Sequence, residues 1–417
     1  MKKVLIISYF FPPANFVGAE RTAAWAKHLH EFGYYPIIIT RNWNENQTDL
    51  TDPVIQNEYS IEKTSEYEIR SMPYKHSLRD KLATNKRFRI LQKALTLKEI
   101  ILSNFFISSL PYSNFYKEAK SILQKEKGIE AVIASGRPFQ SFTIGSILKK
   151  DFPNIRWIPD YRDEWTSHSR NEVNGFLQNV VLKLERKSEQ KWTKNADLFL
   201  TVSDTVKNNL TLLLQKNGAV VLNGFEQTTV QIKPEQKREE LNILYTGTIY
   251  HDQDFTILLD SISALKQEYK IILHFVGVGL NQKKIEDLQK KHSTEIKLIP
   301  RLAKKELQDY ISIADILLLT SYSKTIGSYP VKLFEYYHWG IPILLVPSDK
   351  SVMEEFILKS NTGFIANTEE ECKNILLNFI AQKKQGKTIQ LKKNTAYGDQ
   401  FSRKHQTKKL AEILNKL

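Results

Sequence analysis

Residues 329–345 read YPVKLFEYYHWGIPILL and contain the clearest signals of local structure in the chain. Pro330 suits the first position of a helix, where a missing N–H costs nothing. Gly340 suits the position just past the end of that helix, and a short apolar strand follows it. The helix therefore places Lys332 and Glu335 on one face, near its positive N-terminal end.

This pair of side chains predicts a nucleotide site. The N-terminal amides of a helix bind anions, and a nearby carboxylate accepts hydrogen bonds from a diol. A nucleotide offers a phosphate beside a ribose diol, so Lys332 and Glu335 are candidates to bind one. The alternative is that Glu335 is an ordinary solvated glutamate on a helix surface.

The segment resembles the donor-binding motif of glycosyltransferase family 4, which has the GT-B fold. That family has two glutamates eight positions apart, a proline between them and Gly-x-Pro after the second. Glu335 matches the second glutamate, and Pro330 and Gly340 match the proline and the glycine. Gly327 stands where the first glutamate would be, and in the family that glutamate helps to hold the transferred sugar. The resemblance therefore implies the nucleotide site and leaves the sugar contacts open.

The composition is that of a globular protein. A length of 417 residues exceeds one typical core, so two domains are expected. Hydrophobic residues make up 41% of the chain and charged residues 25%, which excludes the collagenous and disordered classes. The single cysteine, Cys372, excludes a disulfide within the chain. The net charge of +14 favours phosphate-rich partners, which are nucleic acids, nucleotides or an anionic membrane face.

The start of the chain has the outline of a signal peptide, because an apolar run follows Lys2 and Lys3. Pro12 and Pro13 end that run, and no small-residue cleavage site follows. No uncharged run reaches membrane-spanning length without a proline. The expected location is therefore the cytoplasm, with peripheral association at the inner face of the membrane.

Apolar strands alternate with helical patterns in both halves of the chain, beginning with a strand at residues 4–8. This alternation predicts the α/β class, with two doubly wound, Rossmann-like domains. The resemblance to GT-B proteins implies that the domains face each other across a cleft and that the C-terminal helix crosses back to the first. The predicted domains are an acceptor-side N-terminal domain (residues 1–225), a nucleotide-sugar-binding domain (226–400) and the C-terminal helix (401–417).

Each predicted domain has a glycine loop after its first strand. Gly18 lies where ligands approach a parallel sheet, although a plain turn is the alternative. Gly247 resembles the first glycine of the family's donor domain, where an arginine and a lysine hold the diphosphate. Thr248 replaces that arginine, so other cations are expected to meet the phosphate charge. The candidates for that charge are Arg162, Arg301, Lys324 and Lys332. The full set assigned to the donor nucleotide and its diphosphate is Gly18, Gly247, Arg301, Ser328, Tyr329, Lys332 and Glu335.

Residues 157–165 read WIPDYRDEW, so acidic, basic and aromatic side chains follow directly after a predicted strand. Aromatic rings stack on sugars, and carboxylates accept hydroxyl protons. The run is similar to Asp-x-Arg-Asp-x-Trp in a subgroup of the family, which makes Arg162 and Asp163 the catalytic candidates. A surface loop with an internal ion pair is the alternative. The candidates for contact with the acceptor or the sugar are Glu20, Arg137 and Trp165; for Arg137 a helix-capping loop is an equal alternative.

A basic block extends from Lys75 to Phe106. Eight basic residues and one acidic residue, Asp80, lie between Lys75 and Lys98, and apolar residues interleave with them. This pattern predicts docking on anionic lipid, with a solvated helix as the alternative. Nucleic acid is not an expected partner, because no recognised binding module accompanies the block.

The resemblance implies an enzyme, a glycosyltransferase of the hexosyl or a related type. It moves a sugar from a nucleotide sugar to a glycan or lipid-linked glycan in cell-surface polysaccharide synthesis, with retention of anomeric configuration. No metal or other cofactor is expected, and no cluster of His and Cys has metal-binding spacing. The alternatives are a GT-B sugar-nucleotide epimerase and a non-catalytic protein that binds nucleotides or nucleic acid.

Overall fold

The computed structural model describes residues 1–14, 16–43, 58–74, 77–82, 86–103, 113–167, 175–227, 239–277, 282–292, 294–302, 304–323 and 327–417. These residues form two compact units, Met1–Asn223 with Arg403–Leu417, and Gly224–Ser402. The domain boundaries predicted from the sequence follow residues 225 and 400, and the two compact units divide after residues 223 and 402. Lys324 and Lys75 lie outside the described residues, as do residues 104–106 at the end of the basic block.

The first unit is built on one largely parallel sheet. Its strands are β1 (Lys2–Ser8), β2 (Tyr34–Arg41), β3 (Ser60–Lys63), β4 (Glu68–Met72), β5 (Ile129–Gly136), β6 (Arg156–Tyr161), β7 (Phe199–Thr201) and β8 (Gly218–Val220). Among the described residues the order is β3-β4-β2-β1-β5-β6-β7-β8, and only the β3–β4 pair is antiparallel. The strand order reverses at β1 and β5, and ligands bind at the carboxyl ends of strands at such a point.

Helices cover both faces of this sheet, which is why its central strands are apolar throughout. Leu5 and Ile7 of β1 belong to one core cluster, and Val4 and Ile6 belong to the cluster on the other face. The helices of this unit that precede the second unit are α1 (Val17–His28), α2 (Leu78–Leu82), α3 (Arg89–Ser103), α4 (Asn114–Lys125), α5 (Ser141–Asp151), α6 (Phe176–Thr193) and α7 (Asp204–Leu214).

The second unit has a fully parallel sheet in the described part of the chain. Its strands are β9 (Leu241–Thr246), β10 (Ile271–Val276), β11 (Glu295–Ile299), β12 (Ile316–Leu319), β13 (Ile343–Leu345) and β14 (Gly363–Ile365). The order is β11-β10-β9-β12-β13-β14, so it reverses between β9 and β12. The carboxyl end of β9 is therefore the expected place for a ligand in this unit.

The helices of the second unit are α8 (Thr256–Leu265), α9 (Gln282–His292), α10 (Lys304–Ile311), α11 (Val331–Trp339), α12 (Val352–Ser360), α13 (Glu369–Lys384) and α14 (Thr395–Gly398). The last helix, α15 (Arg403–Lys416), belongs to the first unit. Leu410 and Leu414 are buried in the same cluster as Val4 and Ile6, which confirms the predicted crossing of the C-terminal helix. Within the described ranges, no helix is both long and apolar enough to cross a membrane.

Candidate functional site

The helix predicted from residues 329–345 is α11. The sequence predicted Pro330 as the first residue of the helix. In the structure Pro330 has an extended backbone (φ −68°, ψ 140°), so it lies just before the first helical residue. Gly340 ends the helix in the left-handed conformation (φ 79°), as predicted, because glycine adopts positive φ without strain. The helix therefore starts one residue later than expected, and Lys332 and Glu335 both lie in its first half.

Tyr336 attaches α11 to the end of β9. Its side chain is fully buried, and its hydroxyl accepts the Thr246 N–H at 2.8 Å. Lys332 lies four residues earlier on the same helical face. The lysine side chain therefore reaches the carboxyl end of β9, where the strand order predicts a ligand.

The Lys332 ammonium is buried against an aromatic ring. Nζ lies 3.7 Å from the centroid of the Tyr245 ring and has no hydrogen-bond partner among the described residues. Nζ is inaccessible, although part of the Lys332 side chain reaches solvent. Burial lowers the pKa of Lys332 to about 7, and the nearby Glu335 carboxylate opposes that shift. A cation without a hydrogen-bonding partner at a strand end is suited to receive an anion.

Two glycines next to this ammonium keep the strand ends free of side chains. Gly247 follows β9 with φ 93°, and Gly277 follows β10 with φ 82°, a conformation that favours glycine. A Cβ on Gly277 would lie 3.6 Å from the Gly247 Cα, and one on Gly247 would lie 3.6 Å from the Lys332 Nζ. Gly247 was predicted from the sequence as a donor-site residue. Gly277 was not, because its positive φ cannot be recognised in the sequence.

The other donor candidates lie at different distances from this centre. Glu335 is one turn beyond Lys332 on α11 and is half-buried. Ser328 and Tyr329 precede α11, and Tyr329 stacks on Phe334 with centroids 5.6 Å apart. Arg301 is exposed and follows β11, two strands away from β9. The structure thus brings Gly247, Lys332 and Glu335 together and leaves Arg301 at the sheet edge.

The departure at Gly327 has a physical reason. Gly327 has φ 78°, a left-handed backbone conformation that a glutamate rarely adopts. A glutamate in the family position would therefore strain the chain just before α11. The backbone conformation at position 327 favours glycine, which has no side chain to contact a sugar.

In the first unit, Gly18 and Arg162 lie against each other at the end of β1. A Cβ on Gly18 would lie 1.9 Å from the Arg162 Nη1, so only glycine leaves room for the guanidinium. Arg162 donates from Nε to the Gly136 carbonyl at 2.6 Å and from Nη2 to the Arg137 carbonyl at 3.1 Å. Burial lowers the pKa of Arg162. Gly18 was predicted to approach a phosphate. In the structure, its lack of a side chain leaves space for the Arg162 guanidinium.

Two acidic residues at the end of β6 and just after it, Asp160 and Asp163, differ in their burial. Asp160 is fully buried and accepts hydrogen bonds from Arg21 at 2.8 Å and from Ser135 at 2.9 Å, so it has a structural role. Asp163 is 53% exposed, and its Oδ2 lies 3.8 Å from the Arg137 Nε. The structure therefore brings Arg137, Arg162 and Asp163 together beside the point where the strand order of the first unit reverses.

Trp165 and Glu20 make contacts within the domain body. Trp165 stacks on Phe139, with centroids 5.0 Å apart, and on Trp192, with centroids 5.5 Å apart. Glu20 accepts a hydrogen bond from the Arg403 Nη1 at 2.9 Å, which fastens α15 to α1. These contacts give both side chains a packing role at the positions where the sequence predicted a sugar or acceptor contact.

The described part of the basic block is unusually exposed. On α3, no described side chain is buried, and Ile90 is 86% exposed. Leu91 is also exposed, as are the basic side chains of Arg87 and Lys93. An apolar helix surface with adjacent cations therefore faces solvent.

Residues 226–395 match the family model for glycosyl transferases group 1. An uncharacterised glycosyltransferase of Methanocaldococcus jannaschii is 25% identical over 294 residues, which are 70% of this chain and 75% of that protein. The family-model match lies on the unit that contains Lys332 and Glu335.

Solved glycosyltransferase structures share the fold. Sucrose-phosphate synthase of Thermosynechococcus elongatus has a TM-score of 0.55 at 14% identity, over 99% of this chain and 95% of that one. HepE of Anabaena in complex with UDP-glucose has a TM-score of 0.60 at 11% identity, over 100% of both chains. With the two parallel sheets, these likenesses confirm the predicted GT-B fold of the chain. Within the described ranges, no three side chains of His, Cys, Asp or Glu are grouped so that they could hold a metal ion.

Proposed function

We propose that the protein transfers a sugar from a nucleoside-diphosphate sugar to a hydroxyl of a glycan or lipid-linked glycan acceptor. The group 1 family match supports the reaction class. The observation that supports the donor class is the Lys332 ammonium, buried at the glycine-lined end of β9 without a hydrogen-bond partner among the described residues. A diphosphate supplies the missing charge and acceptor oxygens.

Lys332 and Glu335 of α11 bind different parts of the nucleotide. Lys332 and Glu335 lie three residues apart and so share one helical face. Lys332 meets the phosphates, together with the N-terminal amides of α11. Glu335 accepts hydrogen bonds from the ribose hydroxyls, the role that its counterpart has in family 4.

The proposed reaction breaks the bond between the anomeric carbon and the diphosphate oxygen and forms a bond from that carbon to the acceptor oxygen. The proton of the acceptor hydroxyl passes to the leaving diphosphate. Negative charge develops on that leaving group, so the cation and the amides that contact it supply the main catalytic stabilisation. We propose retention of configuration without a metal ion, in keeping with the resemblance to family 4.

The acceptor side is proposed to lie on the first unit. Arg162 and Asp163 follow β6, and Arg137 follows β5, at the edge where the strand order reverses. Asp163 and Arg137 are solvent-accessible, so they are available to the acceptor or the transferred sugar. Arg162 orders the loop at Gly136 and Arg137 through its two carbonyl contacts.

The exposed surface of α3 fits a lipid-linked acceptor. Ile90 and Leu91 provide apolar contacts, and Arg87 and Lys93 provide cations that attract anionic headgroups. We therefore propose peripheral attachment of the enzyme to the inner face of the membrane, as part of cell-surface polysaccharide synthesis.

A panel of nucleotide sugars tests the donor assignment. A ligand that binds only the folded state raises the unfolding free energy, by about 2.7 kcal/mol when its concentration is a hundred times Kd, and the melting temperature rises with it. We expect one nucleoside-diphosphate sugar to stabilise the protein and to release its diphosphate only when an acceptor is present. Turnover of the sugar without an acceptor would instead indicate an epimerase. Salt-sensitive binding of nucleic acid, with no nucleotide-sugar affinity, would indicate a binding protein.

A further inference from the structure

The Tyr245 ring is a fixed support under the Lys332 ammonium. Tyr245 is 1% exposed, and its hydroxyl donates to the Thr248 carbonyl at 3.0 Å and lies 3.1 Å from the Gln253 Oε1. These contacts hold the ring in place from its far end. The ring face lies 3.7 Å from the Lys332 Nζ, within the range of a strong cation–π contact.

The surroundings of the ammonium lack a hydrogen-bonded counter-ion in the part of the chain that the structure describes. The titratable groups that act on Lys332 are Tyr245 on β9 and Glu335 on its own helix, of which Glu335 is charged. The end of β10 contributes Gly277, which has no side chain. An aromatic face stabilises a cation without neutralising it, so Lys332, once protonated, keeps its positive charge available to a bound anion.

We propose that Tyr245 is a positioning residue, whose ring holds the Lys332 amine beside Gly247, and that this amine takes up a proton when a nucleoside diphosphate binds. This inference rests on the proposed function, because it takes a nucleoside diphosphate as the anion. The proton comes from solvent and converts the neutral amine to ammonium, which then donates hydrogen bonds to phosphate oxygens. Donor binding and protonation are therefore coupled at one side chain.

The size of the coupling follows from the ligand-free state of the amine. Burial lowers the pKa of Lys332 to about 7, so at about pH 8 roughly nine in ten amines are neutral. A bound diphosphate raises that pKa because the phosphate charges favour the ammonium. Binding of a nucleoside diphosphate at about pH 8 should therefore take up most of one proton per site. At this pH a free nucleoside diphosphate is already ionised, since its last pKa is near 6, and it releases no compensating proton.

The experiment is calorimetric titration with pyrophosphate, UDP, ADP and GDP in Tris and in HEPES at about pH 8. These buffers differ in ionisation enthalpy, so the difference between the two observed heats gives the protons taken up. Pyrophosphate, which still carries a proton at this pH, tests the anion alone by its affinity, and the proton count is taken from the three nucleotides. Lys332→Arg is the matched control, because a guanidinium is always charged and takes up no proton on binding.

Two variants of Tyr245 separate the ring from the hydroxyl. Tyr245→Phe loses the hydroxyl contacts but keeps the ring face and its packing on Phe255 and Phe275, so proton uptake should be preserved and affinity should fall less than in Tyr245→Leu. Tyr245→Leu removes the face and should weaken UDP binding about three- to thirtyfold. In wild type, UDP affinity should decrease above a certain pH. Tyr245→Leu should lower that pH, because the amine of the free protein is then less readily protonated. Melting temperatures check that both variants fold.

The outcomes separate this inference from the proposed function. Binding with proton uptake that Tyr245→Leu alters and Tyr245→Phe preserves supports both. Binding without proton uptake, or equal behaviour of the two Tyr245 variants, overturns the inference and leaves the proposed function standing. A folded wild-type protein that binds none of the four probes overturns both.

Discussion

Replacing Lys332 by methionine removes a buried charge, and the structure predicts that the change stabilises the ligand-free protein while it abolishes diphosphate binding. Methionine fills a similar volume and places no polar atom at the buried end. The Lys332 Nζ lacks a hydrogen-bond partner among the described residues, so the substitution breaks no hydrogen bond. A binding residue that costs stability is a common feature of functional sites.

The magnitude follows from the shift in the pKa of Lys332. The ordinary pKa of 10.5 falls to about 7 on burial. Each unit corresponds to about 1.4 kcal/mol, so the charged form costs at most about 5 kcal/mol of unfolding free energy. Part of the side chain reaches solvent, and methionine loses the contact with the Tyr245 ring. We therefore expect a net gain of about 2–3 kcal/mol at about pH 6.

The gain depends on pH with a definite sign. Between pH 7 and pH 10.5 the unfolded chain binds more protons at Lys332 than the folded protein does. The unfolding free energy of the wild type therefore rises with pH across this window. The full penalty is present below pH 7, so the advantage of Lys332→Met should shrink steadily from about pH 7 to about pH 10.

Urea denaturation of both proteins at about pH 6, 7.5 and 9 measures this difference. Lys359→Met is the matched control, because Lys359 is an exposed lysine of the same unit that pairs with Glu355 at 2.6 Å. Its unfolding free energy should change by no more than about 0.5 kcal/mol. Equal or lower stability of Lys332→Met at about pH 6, or an advantage that grows with pH, would refute the reasoning.

Three further predictions concern the donor, the acceptor side and the membrane. Glu335→Gln should weaken UDP binding about tenfold or more in calorimetry, because charged hydrogen bonds are worth about 1.5–3 kcal/mol; unchanged affinity contradicts the ribose role. Asp163→Asn and Arg162→Ala should slow sugar transfer while UDP affinity stays within about twofold; equal losses in both assays contradict an acceptor-side role. Arg87→Gln with Lys93→Gln should weaken co-sedimentation with anionic vesicles at low salt, by about 1 kcal/mol per charge; equal binding to neutral vesicles contradicts docking by charge.

Local signals in the sequence were sufficient to predict α11 and the parallel sheets. Gly340 predicted the end of α11 because only the local backbone decides a left-handed cap. The strand at residues 4–8 was predicted because a strand buried on both faces is apolar throughout. The strands β3, β4 and β14 were not predicted, since β3 is exposed and polar and since most residues of β4 and β14 are only partly buried.

The chemistry of the candidate site depended on contacts between distant segments. Tyr245 and Lys332 belong to different elements, and neither segment alone indicates that a ring lies under the ammonium. Gly18 was predicted to approach a phosphate, and the sequence did not show that Arg162 lies beside it. Trp165 was predicted to contact a sugar or the acceptor, and its stacking on Phe139 depends on the packing of the whole unit. The sequence therefore indicated which types of residue follow the strands, but it did not indicate which side chains contact them in the folded protein.

A transfer assay tests the central claim most directly. The protein is incubated with each nucleoside-diphosphate sugar and a lipid-linked glycan extract, and released diphosphate and glycosylated product are measured together by mass spectrometry. We predict that one donor gives equal amounts of both, and that Lys332→Met, which leaves the protein folded, gives neither. A folded wild-type protein that transfers from no donor, or a Lys332→Met variant that transfers as fast as the wild type, would contradict the account.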